Sequence, residues 1–341
     1  KVVLTWSKPS DSNYSGVAIV RKTGGYPQRV LDGTKVYEGT GTSFSDTGLT
    51  NGTQYYYRAF AYNSHHEYQT AYCVATMTPL AGYELGTFPV GTKIKFGSLY
   101  SSAIVWRIAN KSGSSITLIT DGVVTLHAFD AKEPSNPNED RQNYGNNRYR
   151  YSNIRWWLNS EAGAGSWYSA QHSYDHSPNS TDVVSAYPYS SEPGFLNAWT
   201  TKEKNYLETT SYTARKSDFD GGGTETLSDR IWLPSGTEMG LVISPAEGST
   251  FSGFSGVQGA GRQALITDAA ASHLSVDTLD YGYWLRTAYE SDEYDVRCIL
   301  GDGSFGEKYA NVSYGIRPCC IFDSSVLVSL TPNSDGCYTL A

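Results

Sequence analysis

Three things are missing from this chain of 341 residues: a Lys/Arg block, a long apolar run and a paired-cysteine motif. Each absence removes a class of function. Lys and Arg total 26 against 34 Asp and Glu, so the formal net charge is -8 at pH 7. A phosphate backbone is held through a basic footprint that releases its counterions, and nucleic acid is therefore not an expected partner. No apolar stretch approaches the ~20 residues that span a bilayer, and no lipid-anchor signature occurs. Membrane insertion is not expected. The five cysteines (Cys73, Cys298, Cys319, Cys320 and Cys337) are odd in number and form no CxxC pair, which leaves neither a disulfide framework nor a zinc cluster. Cys319-Cys320 lie in an apolar run and read as small buried hydrophobes, and synthesis in a reducing cytoplasm is expected. GxSxG, phosphate-loop and EF-hand patterns are absent as well.

What is present is aromatic, Gly-turned and rich in β-type runs. Gly numbers 34 and Tyr 27, with 39% hydrophobic and 18% charged residues, too aromatic for disorder. The length predicts about two domains. Up to about residue 80 the chain alternates short strands with Gly/Pro/Asn/Asp turns. Val2-Leu4-Trp6 places three apolar side chains on one face, and strands follow at 17–21, 35–37, 43–47 and 55–62. Leu80-Ala81-Gly82 reads as a short joint. A second body begins at Val90–Gly97, with strands at Ala103–Ile108 and Ser115–Thr120. After a polar loop at 133–143, Ser152 reads as an N-cap, with Ile154, Trp157 and Leu158 at helical spacing. A second short helix is expected at 200–207, and a buried strand at 229–235 leading into a helical turn.

Few residues carry catalytic chemistry. His172, Asp175 and His176 form HxxDH, which on a helix could hold a metal. Ser, Tyr and Pro178 around it disfavour a helix, so an exposed loop is expected, as it is for His65-His66-Glu67. Glu290, Asp292, Glu293 and Asp295 read as a solvated or ligand-facing patch rather than a glycosidase pair. Oxygen donors at 133–140 and 218–221 leave a structural calcium possible without a recognisable loop signature; no other cofactor is expected.

The most informative stretch runs from Tyr283-Trp284-Leu285-Arg286 to Gly315-Ile316-Arg317-Pro318. Its borders are framework residues, whereas its interior scatters tyrosines among acids and small polar residues with no sustained period. Tyr on a rigid frame gives large contact area at low entropic cost, which favours a binding protein over an enzyme. Gly301–Ser304 reads as a fixed turn, and Val296 and Ile299 are expected to point inward.

Two resemblances extend this reading. Leu4-Thr5-Trp6 and Gly48–Tyr55, with Leu49 and Tyr55 as a corner, resemble a fibronectin type III domain over residues 1–80. The first strand of that sandwich has no counterpart here, so further domains upstream in a longer polypeptide are expected. Tyr144–Tyr149, Ile154–Asn159, Pro193–Leu196, Ile231–Ser235, Trp284–Arg286 and Gly315–Pro318 together resemble a bacterial and phage domain family of undefined function. That family is similar to the C-type lectin-like fold of the formylglycine-generating enzyme group and covers 82–341. The implied fold is therefore a multidomain one, an all-β sandwich followed by an α+β domain. Some members of the wider fold are variable proteins of diversity-generating retroelements, which implies a variable region at 284–318. The ligand-facing candidates are Tyr289, Glu290, Glu293, Tyr294, Asp295, Cys298, Leu300, Phe305, Glu307, Lys308, Tyr309, Asn311, Val312 and Tyr314, flanked by Trp284 and Arg286. The resemblance implies a non-enzymatic receptor-binding or adhesion protein of a phage virion (tail or capsid surface), or alternatively of a bacterial cell surface, that engages a cell-surface protein or glycan. The alternative is an enzyme or accessory module of the formylglycine-generating group with a fixed pocket. That enzyme's reactive thiol pair has no likeness in Cys319-Cys320, which sit in a core-type strand.

Overall fold

The computed structural model describes residues 1–79, 82–184 and 187–341. They form two compact units, residues 1–82 and 83–340. Leu80 and Ala81 of the expected joint lie outside the described residues.

The first unit is built from six strands: β1 (Val2–Thr5), β2 (Gly16–Thr23), β3 (Thr34–Gly39), β4 (Ser43–Asp46), β5 (Tyr55–Tyr62) and β6 (Tyr68–Met77). β1 pairs with β4, and the others form an antiparallel sheet in the order β3-β2-β5-β6. Period-2 alternation sets what is buried. Val2 is buried while Val3 points outward, and Leu4 and Trp6 pack with Val17, Ile19 and Tyr57 from the other sheet. Trp6 meets Tyr37 edge-on at 5.1 Å. Buried Asp46 accepts at both carboxylate oxygens from Arg21 Nη1, at 2.8 and 2.9 Å, and from the Tyr57 hydroxyl at 3.0 Å, tying the two sheets together. The Thr50 amide donates to the Tyr55 hydroxyl at 3.0 Å beside Leu49, closing the turn into β5.

The second unit contains β7 (Tyr83–Glu84), β8 (Lys93–Leu99), β9 (Ser102–Ser112), β10 (Ser115–Thr120) and β11 (Thr125–Ala128), then helices α1 (Glu139–Tyr144), α2 (Asn153–Asn159) and α3 (Thr201–Tyr206). β12 (Thr210–Arg215), β13 (Thr224–Asp229), β14 (Ile231–Trp232) and α4 (Asp268–Leu274) follow. The chain closes with β15 (Tyr283–Ala288), β16 (Asp295–Ile299), β17 (Phe305–Tyr309), β18 (Ser313–Ile316), β19 (Cys319–Asp323), β20 (Leu327–Val328) and β21 (Tyr338–Thr339). One sheet runs β14-β19-β10-β9-β8-β21 and a second runs β11-β18-β15-β16-β17. Both sheets and α2 contribute to one core, which includes fully buried Trp106, Trp157 and Trp284. No described helix is long and apolar enough to cross a membrane.

The helix α2 starts at its expected cap, and α3 lies within the expected 200–207. The Ser152 hydroxyl accepts from the Arg155 amide, and Ile154, Trp157 and Leu158 on one face of α2 are fully buried. Thr200 and Glu203 form a reciprocal capping box on α3. Two expectations need correcting. The loop at 133–143 contains α1, capped by Asn138. The strand expected at 229–235 shortens to Ile231–Trp232: Asp229 ends β13, and beyond Trp232 the Leu233 backbone bonds to side chains while the Pro234 carbonyl accepts from the Arg286 amide of β15 at 2.9 Å. The Leu233 amide donates to the Tyr149 hydroxyl at 3.0 Å, and its carbonyl accepts from Arg286 at 2.9 Å. Cys319 and Cys320 are wholly buried in β19, and burial pushes both thiols well above their usual range.

Candidate ligand-binding face

The borders of the 284–317 stretch are locked into the core. Trp284 is 0% exposed and its indole donates to the His127 carbonyl at 2.9 Å. Arg286, also 0% exposed, forks onto Glu238 at 2.6 and 2.8 Å, donates to the Thr213 carbonyl and lies over the Tyr212 ring at 4.8 Å. Arg317 donates to the Thr120 carbonyl and the Tyr283 hydroxyl, with its guanidinium over Tyr283 and Phe254. Gly315 is required by close approach: a Cβ there would stand 2.4 Å from the Gly282 carbonyl oxygen. The expectation that Trp284 and Arg286 flank the face is therefore corrected. They lie beneath it.

Between the borders, the interior has a strand period after all. β15, β16 and β17 form an antiparallel meander with Asp295 opposite Tyr309, Arg297 opposite Glu307 and Ile299 opposite Phe305. Alternation places Asp295, Arg297, Glu307 and Tyr309 on one side of the sheet, while Ile299 at the far end of β16 is wholly buried, as expected. Arg297 is the hub: its guanidinium lies 4.2 Å from the Tyr289 ring and 4.8 Å from Phe305, and it bonds Glu290 at 3.0 Å and Glu307 at 3.1 Å. Beside it, Tyr144, Tyr294 and Tyr309 pack with ring centroids 4.4 to 5.6 Å apart. Tyr309 is 44% exposed. Together these rings make a contact platform edged by carboxylates.

The backbone under this platform is held from outside. Buried Asn147 donates from its amide nitrogen to the carbonyls of Asp292 and Asp295 at 2.9 Å and of Tyr289 at 3.4 Å. Its own backbone amide donates to the Glu293 carbonyl at 3.1 Å. Asn311 donates to the Asn143 carbonyl at 2.9 Å, and Asn138 donates to the Glu293 carboxylate. Burial, then the neighbouring Asp292 carboxylate, pushes the Asp295 carboxyl up to about 7. The Tyr294 phenol rises to about 12, first by burial and then through Asp292, Asp295 and Asp140.

The expected ligand-facing set divides accordingly. Tyr289, Glu290, Tyr294, Asp295, Phe305, Glu307 and Tyr309 belong to the strip, and Lys308 is exposed on the other side of the same edge strand. Leu300, Val312 and Tyr314 are partly buried, Tyr314 against Trp284. Cys298, Glu293 and Asn311 are corrections: all three are buried, Cys298 in the core and the other two in bonds to the 138–147 segment. Burial drives the Cys298 thiol up to about 12. Two contributors had no place among the expected residues, Arg297 and Tyr144. The alternation of Asp295, Arg297 and Ile299 was the signal for the first; nothing in the local sequence pointed to the second.

The remaining candidates are elsewhere. HxxDH is not helical, but it is less exposed than expected, because Asp175 is buried and accepts from Asn153 at 3.0 Å. His172 and His176 turn to different carboxylates, Glu133 at 3.0 Å and Asp182 at 2.8 Å. Of the two calcium segments, Glu133 accepts from Asn136 and Asn146, and Asp220 pairs with Arg141 at 2.8 Å. No group of three or more His, Cys, Asp or Glu residues poised for a metal occurs among the described residues.

Fold and site together define a β-rich, two-unit protein with an aromatic, carboxylate-edged face on a buried frame. The chain belongs to the family described as a domain of unknown function, DUF6273, whose profile matches residues 114–324. That is more than half of the chain and runs from β10 to β19, covering all of the β11-β18-β15-β16-β17 sheet and three strands of the other large sheet. No curated protein and no solved structure matches it significantly.

Proposed function

We propose that this chain is a non-enzymatic ligand-binding display protein. In this reading the second unit is a C-type lectin-like domain of the formylglycine-generating-enzyme type with a diversified face. The first unit is a fibronectin type III-like spacer, and the setting is a phage virion or, as second choice, a bacterial surface. The ligand is a cell-surface protein or glycan, bound by aromatic anchors within a polar rim.

One observation carries the proposal: the platform's backbone is gripped through main-chain carbonyls by Asn147, outside the strip. Every residue type supplies a carbonyl, so side chains there can change while the loop keeps its shape. The frame below, in contrast, uses side chains that nothing else replaces, such as Arg286 on Glu238. The division of the first unit into two- and four-stranded sheets, with the Tyr55–Thr50 bond, supports the spacer reading.

Sequencing this locus across a population of the source tests the proposal. The expected result is substitution concentrated at Tyr289, Glu290, Tyr294, Asp295, Phe305, Glu307 and Tyr309, with Asn147, Trp284, Arg286, Gly315 and Arg317 constant. An invariant strip, or changes spread evenly over strip and frame, would remove the display reading.

A further inference from the structure

The first unit holds a cavity that the spacer role does not use. It measures about 650 Å³ and opens on the side of the β3-β2-β5-β6 sheet turned away from the β1–β4 pair. On that side buried Phe60 forms an apolar floor, since alternation directs Val17, Ile19 and Tyr57 to the opposite core. The connection between β2 and β3 supplies a wall through Gln28, Arg29, Val30 and Leu31; Tyr68 and Gln69 from β6 supply the other. Leu31 is 89% exposed, an apolar side chain left in water at the cavity mouth.

The polar lining has one sign. Arg29, Lys35 and Arg58 line the cavity and none of its nine described lining residues is acidic, in a chain of net charge -8. Lys35 is bonded to Glu38, and Arg58 reaches the Gln28 side-chain oxygen at 3.3 Å. Glu38 offsets Lys35, and Asp32, which accepts from the Gln28 amide at 2.8 Å, pairs with Lys22 at 2.9 Å, so Arg29 and Arg58 set the sign of the lining. Ligand sites for small molecules combine this size of space, an apolar wall and a few convergent polar groups, and a guanidinium near an apolar floor selects anions with planar or forked oxygens.

We propose that this cavity binds a small organic anion: a carboxylate or sulfonate head at Arg58 and Arg29, with an aromatic or branched apolar body against Phe60, Val30 and Leu31. The site is independent of the strip in the second unit.

Fluorescence titration of the full chain with 8-anilinonaphthalene-1-sulfonate tests this. One saturable site per chain is expected. Leu31→Glu and Arg29→Glu, both at exposed positions, should each weaken it at least about tenfold, the scale of one lost charge-assisted contact. Leu265→Glu, an exposed site in the second unit, should leave it unchanged. Should Leu31→Glu alter the circular dichroism spectrum, Arg29→Glu alone decides. No saturable binding, affinity indifferent to the deciding variant, or equal affinity for the corresponding aminonaphthalene cation would each overturn the assignment.

Discussion

Two arginines eleven positions apart share the same chemistry and have opposite fates. Arg286 lies over Tyr212 and bonds Glu238; Arg297 lies over Tyr289 and Phe305 and bonds Glu290 and Glu307. The Arg286 side chain is 0% exposed, that of Arg297 is 16% exposed, and Glu307 beside it is 45% exposed. Water decides what each pair is worth. Removing one partner of a buried pair strands a charge and costs about 3–5 kcal/mol, whereas pairs reached by solvent contribute about 0–1 kcal/mol. Partner types and ring stacking therefore do not tell framework from surface. Burial does.

The largest effect is expected at the buried pair. Arg286→Met should destabilise the second unit by about 3–5 kcal/mol, because Glu238 is left without its guanidinium; Arg297→Met should cost no more than about 1 kcal/mol. Equal losses in urea unfolding would show that Arg297 is frame. Next in size, Asn147→Ala removes the side-chain donor from the Tyr289 and Asp292 carbonyls, Asp295 keeping the Tyr289 amide, at about 1–3 kcal/mol. Hydrogen exchange should rise in 289–296 and not in β19.

Asp295 sharpens the contrast between frame and surface through pH. Its folded carboxyl titrates near 7, above the usual 3.8, so its protonated form favours the folded state. That stabilisation is complete below pH 3.8 and is lost as pH rises through 7. The melting temperature of Asp295→Asn relative to the parent chain should therefore be higher at about pH 8 than at about pH 5; no change in the difference would place Asp295 in open solvent. The smallest effect belongs to Tyr309→Ser, expected within about 1 kcal/mol on stability, with loss of ligand affinity as its main consequence. A large drop in melting temperature would make the tyrosine platform part of the core.

Much of the scaffold was legible beforehand. Ser152 announced α2, since a hydroxyl before a helical run satisfies amides that the helix cannot, and α3 was expected over 200–207 on Glu203 and Lys204. Alternation in Val2-Leu4-Trp6 announced β1. The helix α4 was missed because Asp-Ala-Ala-Ala-Ser-His-Leu has no broad apolar stripe, only the Thr267 cap that begins it. Within 289–314 the acids and tyrosines concealed β16 and β17, whose alternation runs for only five residues each.

By itself the sequence determined the local choices: where α2 starts, and which face of a strand such as β1 is apolar. These depend on neighbours a few residues away. Only the tertiary structure decided that Cys298, Glu293 and Asn311 are interior while Arg297 is not, and that Tyr144 joins Tyr294 and Tyr309 across 150 residues or more of chain. Whether a polar side chain is exposed depends on what the rest of the chain lays over it, here the 138–147 segment, and no local spacing encodes that covering.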